Sequence, residues 1–185
     1  MKELKDIIRK DYFRYYGVRH VGFLSKLRLY GWHYTRIWRK AHYYKMNNRI
    51  MYLFYGSLLM RLTTKYGFQI GVDASIGPGL YIGHFGSVIV NEHAVIGKNC
   101  NLAPGVVIGQ QNRGEKKGAP VIGDQVWIGC NAVVVGNIKI GNNVLIAPGA
   151  YVNFDVQDNS IVIGNPGTIC TAQNAVEHYI NNVVE

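Results

Sequence analysis

The sequence predicts a mainly β fold, a parallel β-helix with an α-helical segment ahead of it, and three observations carry that expectation. From Ile70 to about Val156 an aliphatic residue returns every six residues, the residue after it is nearly always small, and the stretch before residue 67 lacks this period and reads as helical. In phase, the aliphatic positions are Ile70, Ile76, Ile82, Val90, Ile96, Leu102, Ile108, Ile122, Ile128, Val134, Ile140, Ile146 and Val152, and eight of these thirteen precede Gly while two precede Ala. The position four residues on is also small or aliphatic, as in Ala74, Ala94, Cys100, Val126, Ala132, Val144 and Ala150. A fixed six-residue period marks a β-helix, in which each short flat side buries one aliphatic chain and only the stacking of coils makes a core. The small residue after it fits a corner, where a side chain would crowd the turn or positive φ is needed.

The period breaks twice. Ile82 to Val90 is eight residues and Ile108 to Ile122 is fourteen. The excess must bulge from the coil, and loops on a rigid scaffold are where function concentrates. The first bulge holds Gly83-His84-Phe85-Gly86-Ser87, and the second runs from Gln110 to Pro120 with Arg113, Lys116 and Lys117 on it.

Three segments are expected: a helical one over 1–66, the β-helix over 67–168 and a tail over 169–185. Helices are expected from about Lys2 to Tyr15, Gly22 to Tyr44 and Arg49 to Lys65, and the tail reads as a short helix. The net charge of +9 divides unevenly. Residues 1–66 hold 15 Lys and Arg against three acids, +12, whereas residues 67–185 hold five against eight, −3. Ten of the thirteen Tyr also lie in the basic part. Two compatible readings follow for it: helices that cover the open first coil, since an uncovered sheet end is a liability, and a basic, aromatic surface for peripheral association with an anionic membrane. The apolar run Ile50 to Met60 is too short to span a bilayer, which takes about 18 residues or more. Nucleic-acid binding lacks a motif. The N-terminus has no apolar core with a cleavage site, so no signal peptide is expected, and three Cys are too few for a disulfide framework. Reduced thiols and a cytoplasmic location, at the inner face of the membrane if the basic part binds lipid, are the expectation.

The run from Ile76-Gly-Pro-Gly through Ile82-Gly-His84-Phe-Gly-Ser-Val-Ile-Val90, then Pro120-Val-Ile-Gly-Asp124, Ile128-Gly, Gly136-Asn-Ile, Ile140-Gly, Ile146-Ala-Pro-Gly and Gly164-Asn-Pro-Gly, resembles the hexapeptide-repeat acyltransferases. Within them it is similar to the serine O-acetyltransferase-like branch, which includes enzymes of surface-polysaccharide biosynthesis. The resemblance implies a left-handed coil, a homotrimer with sites between subunits, and acetyl-CoA as donor.

It also implies roles. His84 matches the family's catalytic base, and histidine is the side chain whose ordinary pKa suits the removal of a hydroxyl proton near neutrality. In the serine acetyltransferases an Asp fifteen residues earlier orients this His; here that position is Gln69, and Glu92 in the next repeat is the alternative. A neutral amide can hold the ring but cannot stabilise an imidazolium as a carboxylate does. The positions that match the CoA groove are Gly129, Cys130, Asn131, Ala147 and Pro148. Arg113, Lys116 and Lys117 either meet CoA phosphates or an anionic acceptor, or belong to a solvated loop. His20, His33, His42 and His178 have no metal-like spacing, so no metal is expected.

The acceptor expected is a saccharide hydroxyl in surface-polysaccharide biosynthesis. Where the serine enzymes carry an Arg-His-Pro run for the carboxylate and an Asp before the base for the ammonium, this chain has Gly118-Ala119-Pro120 and Gly83, and a zwitterion buried without partners is costly. Serine O-acetylation is the alternative within the enzyme class. A trimeric β-helix scaffold without catalysis is the alternative outside it.

Overall fold

The computed structural model describes residues 1–18, 22 and 29–185. They form a left-handed parallel β-helix behind three helices. All thirteen in-phase aliphatic residues are buried, as are the small residues four positions on. Fifteen short strands, β1 to β15 in chain order, build three flat sides. Side A stacks β1 (Phe68–Ile70), β4 (Val88–Val90), β7 (Val107–Gly109), β10 (Val133–Val135) and β13 (Tyr151–Val152). Side B stacks β2 (Ser75–Ile76), β5 (Val95–Ile96), β8 (Val121–Ile122) and β11 (Lys139–Ile140). Side C stacks β3 (Tyr81–Ile82), β6 (Asn101–Leu102), β9 (Val126–Ile128), β12 (Val144–Ile146), β14 (Ser160–Ile163) and β15 (Thr168–Thr171). Every pairing is parallel except that of β14 with β15.

The corners divide their labour between two residues. The Gly that follows the aliphatic residue is there for close approach: a Cβ on Gly97 would stand 2.6 Å from the backbone of Gly123 in the next coil. Positive φ falls two residues later, on Asn99, Gln125, Asn131 and Asn143, three of them the residue type that tolerates that region best after Gly. On the corner from side B to side C, Asp124, Asn142 and Asp158 form a side-chain ladder. Asp124 accepts from Lys98 N, Asn142 from Asp124 N and Asp158 from Asn142 N, each at 2.7 to 2.8 Å.

The helices α1 (Lys2–Tyr16), α2 (Tyr30–Asn47) and α3 (Arg49–Tyr66) lie over the first coil. The break at Asn48 is extended backbone whose side chain caps α3 by accepting from Met51 N at 3.0 Å. Of the expected second helix, Gly22 is not helical and residues 23–28 lie outside the described residues, as does His20. These helices terminate the backbone groups that stacking leaves open. Trp38 Nε1 donates to Gly71 O, Tyr34 Oη accepts from Ile70 N, and Tyr15 Oη accepts from Ile82 N and donates to Ile82 O. The buried Asp11 accepts from Gly79 N and Leu80 N and pairs at 2.9 Å with the buried Arg39, which also donates to Ile76 O and Gly77 O. Arg14 reaches Gly79 O, Asn101 Oδ1 and Asn181 O. Gly31 of α2 sits so close to this coil that a Cβ there would lie 2.0 Å from Ile82 O.

The expected tail helix does not form. Thr168–Thr171 instead pairs with β14 and continues side C, and the turns beyond fold back over that side, where Ala175, Val176 and Ile180 pack on Leu145 beside Trp127 and Ile161. Apolar outward residues on side C supply the reason, since an adjacent sheet face buries them better than a free helix would. Among the described residues no helix is long and apolar enough to cross a membrane.

Candidate active site

The two breaks in the period fall on different corners. Ile82, Leu102, Ile128 and Ile146 are in register on side C, and the turns that follow them lead to side A. In the later coils this turn takes four residues, 103–106, 129–132 and 147–150, whereas between Ile82 and Val88 it takes five, and Val88 itself enters the strand. The surplus forms the bulge. Its base is tied down by Gly86 N donating to Tyr66 O at 3.0 Å and Val88 N to Gly67 O at 3.2 Å, and Phe85 packs edge-on against Tyr30 at 5.7 Å. Gly86 takes φ 137°, which frees the loop to leave the coil. His84 is therefore exposed at the tip, with its ring open to a ligand.

This corner also carries the residues matched to the donor. Successive coils set His84, then Ala103-Pro104-Gly105, then Gly129-Cys130-Asn131, then Ala147-Pro148 one above the other, roughly 4.8 Å per coil. They make one continuous edge of small and polar residues with His84 at the end nearest the helices. Backbone bonds hold its pitch: Asn131 N donates to Pro104 O at 3.0 Å and Gly149 N to Cys130 O at 2.8 Å.

The second loop lies elsewhere, on the corner from side A to side B. It is a hairpin, closed by two 2.9 Å bonds between Gln111 and Gly118, and it folds along the axis so that Lys116 Nζ donates to Asn153 O at 2.6 Å. Arg113, Lys116 and Lys117 are exposed there, one flat side away from Gly129, Cys130, Asn131, Ala147 and Pro148 in the same chain.

Gln69 and Glu92 are placed together, but apart from His84. Gln69 points outward from β1 beside Ile89, and Glu92 stands at the far corner of side A, about five extended residues or roughly 15 Å from the bulge. Among the described residues no hydrogen bond joins either to His84. Both line a groove of about 980 Å³ between α3 and side A, together with Ser57, Arg61, Asn91 and the apolar Leu53, Met60 and Ile89. Arg61 was not legible in the sequence, where nothing separates a groove-lining cation of a helix from a solvated one. The groove thus carries a guanidinium and a carboxylate at the level of the first two coils, the level of His84.

The three thiols are free; Cys130 and Cys170 are exposed, while burial pushes Cys100 up to about 12. Among the described residues no group of three or more His, Cys, Asp or Glu could hold a metal ion.

Residues 119–153 match the bacterial transferase hexapeptide (six repeats) model. The chain is a left-handed β-helix of hexapeptide repeats that is similar to the serine acetyltransferases. Serine acetyltransferase 2 of Arabidopsis thaliana is 33% identical over 77% of this chain and 44% of its own length. A Neisseria gonorrhoeae serine acetyltransferase solved in complex with serine is 29% identical, with a TM-score of 0.76 over 92% of this chain and 70% of that one. A serine acetyltransferase from Brucella abortus solved in complex with coenzyme A is 27% identical, with a TM-score of 0.79 over 94% of this chain and 70% of that one. The chain spans between 40% and 62% of the length of the curated relatives it matches.

These likenesses overturn the expected saccharide acceptor and the place in polysaccharide biosynthesis, because the similar proteins are serine acetyltransferases. Gly83 and Gly118-Ala119 are two positions only of an acceptor site. A cation, Arg61, and an anion, Glu92, lie in the groove beside Gln69, and of the two only Glu92 is a candidate by resemblance.

Proposed function

We propose that this chain is an acetyl-CoA-dependent serine O-acetyltransferase. His84 takes the proton of the serine hydroxyl as its oxygen attacks the thioester carbonyl. The tetrahedral intermediate then expels the CoA thiolate, which recovers the proton from the imidazolium. The observation that carries the reading is the single edge that runs from His84 through Gly129-Cys130-Asn131 to Ala147-Pro148, in a chain whose relatives include serine- and CoA-bound acetyltransferases. That edge is long enough for an extended pantetheine arm, with the thioester end beside the base.

The same reading places the complete site between copies of a homotrimer. Sides A and B present outward columns with little charge, Gln69, Ile89, Val107, Val133 and Tyr151 on one and Ser75, Val95, Val121 and Lys139 on the other, while side C is covered by the chain's own tail. Copies related by a three-fold axis stay level, so the edge with His84 on one can face the corner with the groove and the second loop on the next. Arg61 and Glu92 then supply the charges for the carboxylate and ammonium of serine, and Arg113 and Lys117 supply cations for CoA phosphates. Acetyl-CoA and unpaired thiols such as Cys130 and Cys170 fit a cytoplasmic setting.

The test is release of CoA thiol from acetyl-CoA in the presence of L-serine, with O-acetylserine as product. Thiol release that needs no acceptor hydroxyl would refute the transfer.

A further inference from the structure

Helix α3 is apolar on two opposite faces, and only one of them is buried. Tyr55, Leu58, Leu59, Leu62 and Tyr66 pack on the core of the β-helix. Leu53 and Met60 turn toward the groove of Gln69 and Glu92, whereas Ile50 and Phe54, one helical turn apart and outside the groove, are 78% and 61% exposed. Met46, at the end of α2, extends this stripe and is 87% exposed. Apolar residues held out in solvent on a second face of a helix need a second partner.

The charges around the stripe say which. Helices α2 and α3 contain seven Lys and Arg and no acidic residue, and Arg49 and Lys65 stand exposed at the two ends of α3. A second copy of this face would set Arg49 and Lys65 against the same cations, while the nearest acids are engaged elsewhere, Asp73 with Lys45 and Glu92 at the groove, so association costs energy. An anionic bilayer offers the reverse: phosphate groups for Arg49 and Lys65, and an interfacial layer a few ångströms deep for Met46, Ile50 and Phe54. We infer that the outer face of α3 docks on an anionic membrane surface and holds the protein there peripherally.

Sedimentation of the full-length protein with phosphatidylcholine vesicles, with and without phosphatidylglycerol, tests this. The expected result is binding about tenfold or more stronger to the anionic vesicles, weakened by salt. Phe54→Asp and Ile50→Asp, both on the exposed stripe, are each expected to lower it about tenfold or more with thermal unfolding and acetyltransferase activity unchanged. Absence of binding at low salt, or equal binding to both vesicle types, overturns the inference. So does a change in particle mass by light scattering on either substitution, which would assign the face to a contact between copies.

Discussion

His84 stands free of the coil because the turn beneath it is longer than its counterparts and Gly86 can take φ 137°. Its exposure within one chain suits a base that meets its substrates in a shared cleft. If His84 is the base proposed above, replacing it removes proton transfer and little else, so His84→Asn is expected to lower kcat by about 10² to 10⁴ with folding intact; turnover near that of the unmodified protein would remove it from the mechanism. Cysteine reactivity gives a second test at this scale. Burial pushes Cys100 up to about 12, so its thiolate is negligible at neutral pH, whereas Cys130 and Cys170 are exposed. Alkylation of the native protein is expected to modify Cys130 and Cys170 and spare Cys100, with all three labelled after denaturation. The position of His84 was legible from the broken period. The placement of Gln69 and Glu92 was not, because residues fifteen and eight positions from His84 can lie at any of three corners until the register of the coils is known. Nor did the sequence tell which corner residue takes positive φ: the Gly after most of the aliphatic residues and an Asn two further on both suit a turn, and only the stack separates close approach from backbone conformation.

The sides of the β-helix were readable because each buries the same kind of residue at the same interval, and a period of six leaves no other regular way to stack them. The tail was not readable, since its strand and turns depend on apolar residues of side C that are distant in sequence, Trp127, Leu145 and Ile161. The helices at the other end illustrate the same limit. Their composition suggested a cover, but the cover works through Asp11, Arg39, Tyr15, Tyr34 and Trp38, each reaching a backbone group of the first coil. Asp11 is the most consequential. It is buried, serves two N–H groups and balances Arg39, so Asp11→Ala leaves a buried guanidinium without its partner. The expected cost is about 3 to 5 kcal/mol in unfolding free energy, read from a denaturant titration. A loss below about 1 kcal/mol would mean that water replaces the carboxylate and that the first coil does not need this cap.

At the scale of the molecule, one chain leaves two sides of the prism uncovered and puts the His84 edge and the groove at different corners. Both features call for neighbours. Light scattering is expected to return three times the 20.8 kDa of the chain, and a monodisperse monomer that still acetylates serine would contradict a site shared between copies. The claim on which the account turns is the acceptor. The likeness to serine acetyltransferases, and a groove that offers Arg61 and Glu92 to a zwitterion, stand against the loss of charged residues at Gly83 and Gly118-Ala119. Steady-state kinetics with acetyl-CoA saturating and L-serine varied decides between them. The account predicts kcat/KM for L-serine of ~10⁴ M⁻¹s⁻¹ or above, within the ordinary range for an enzyme and its own substrate, whereas turnover indistinguishable from acetyl-CoA hydrolysis without serine would contradict it.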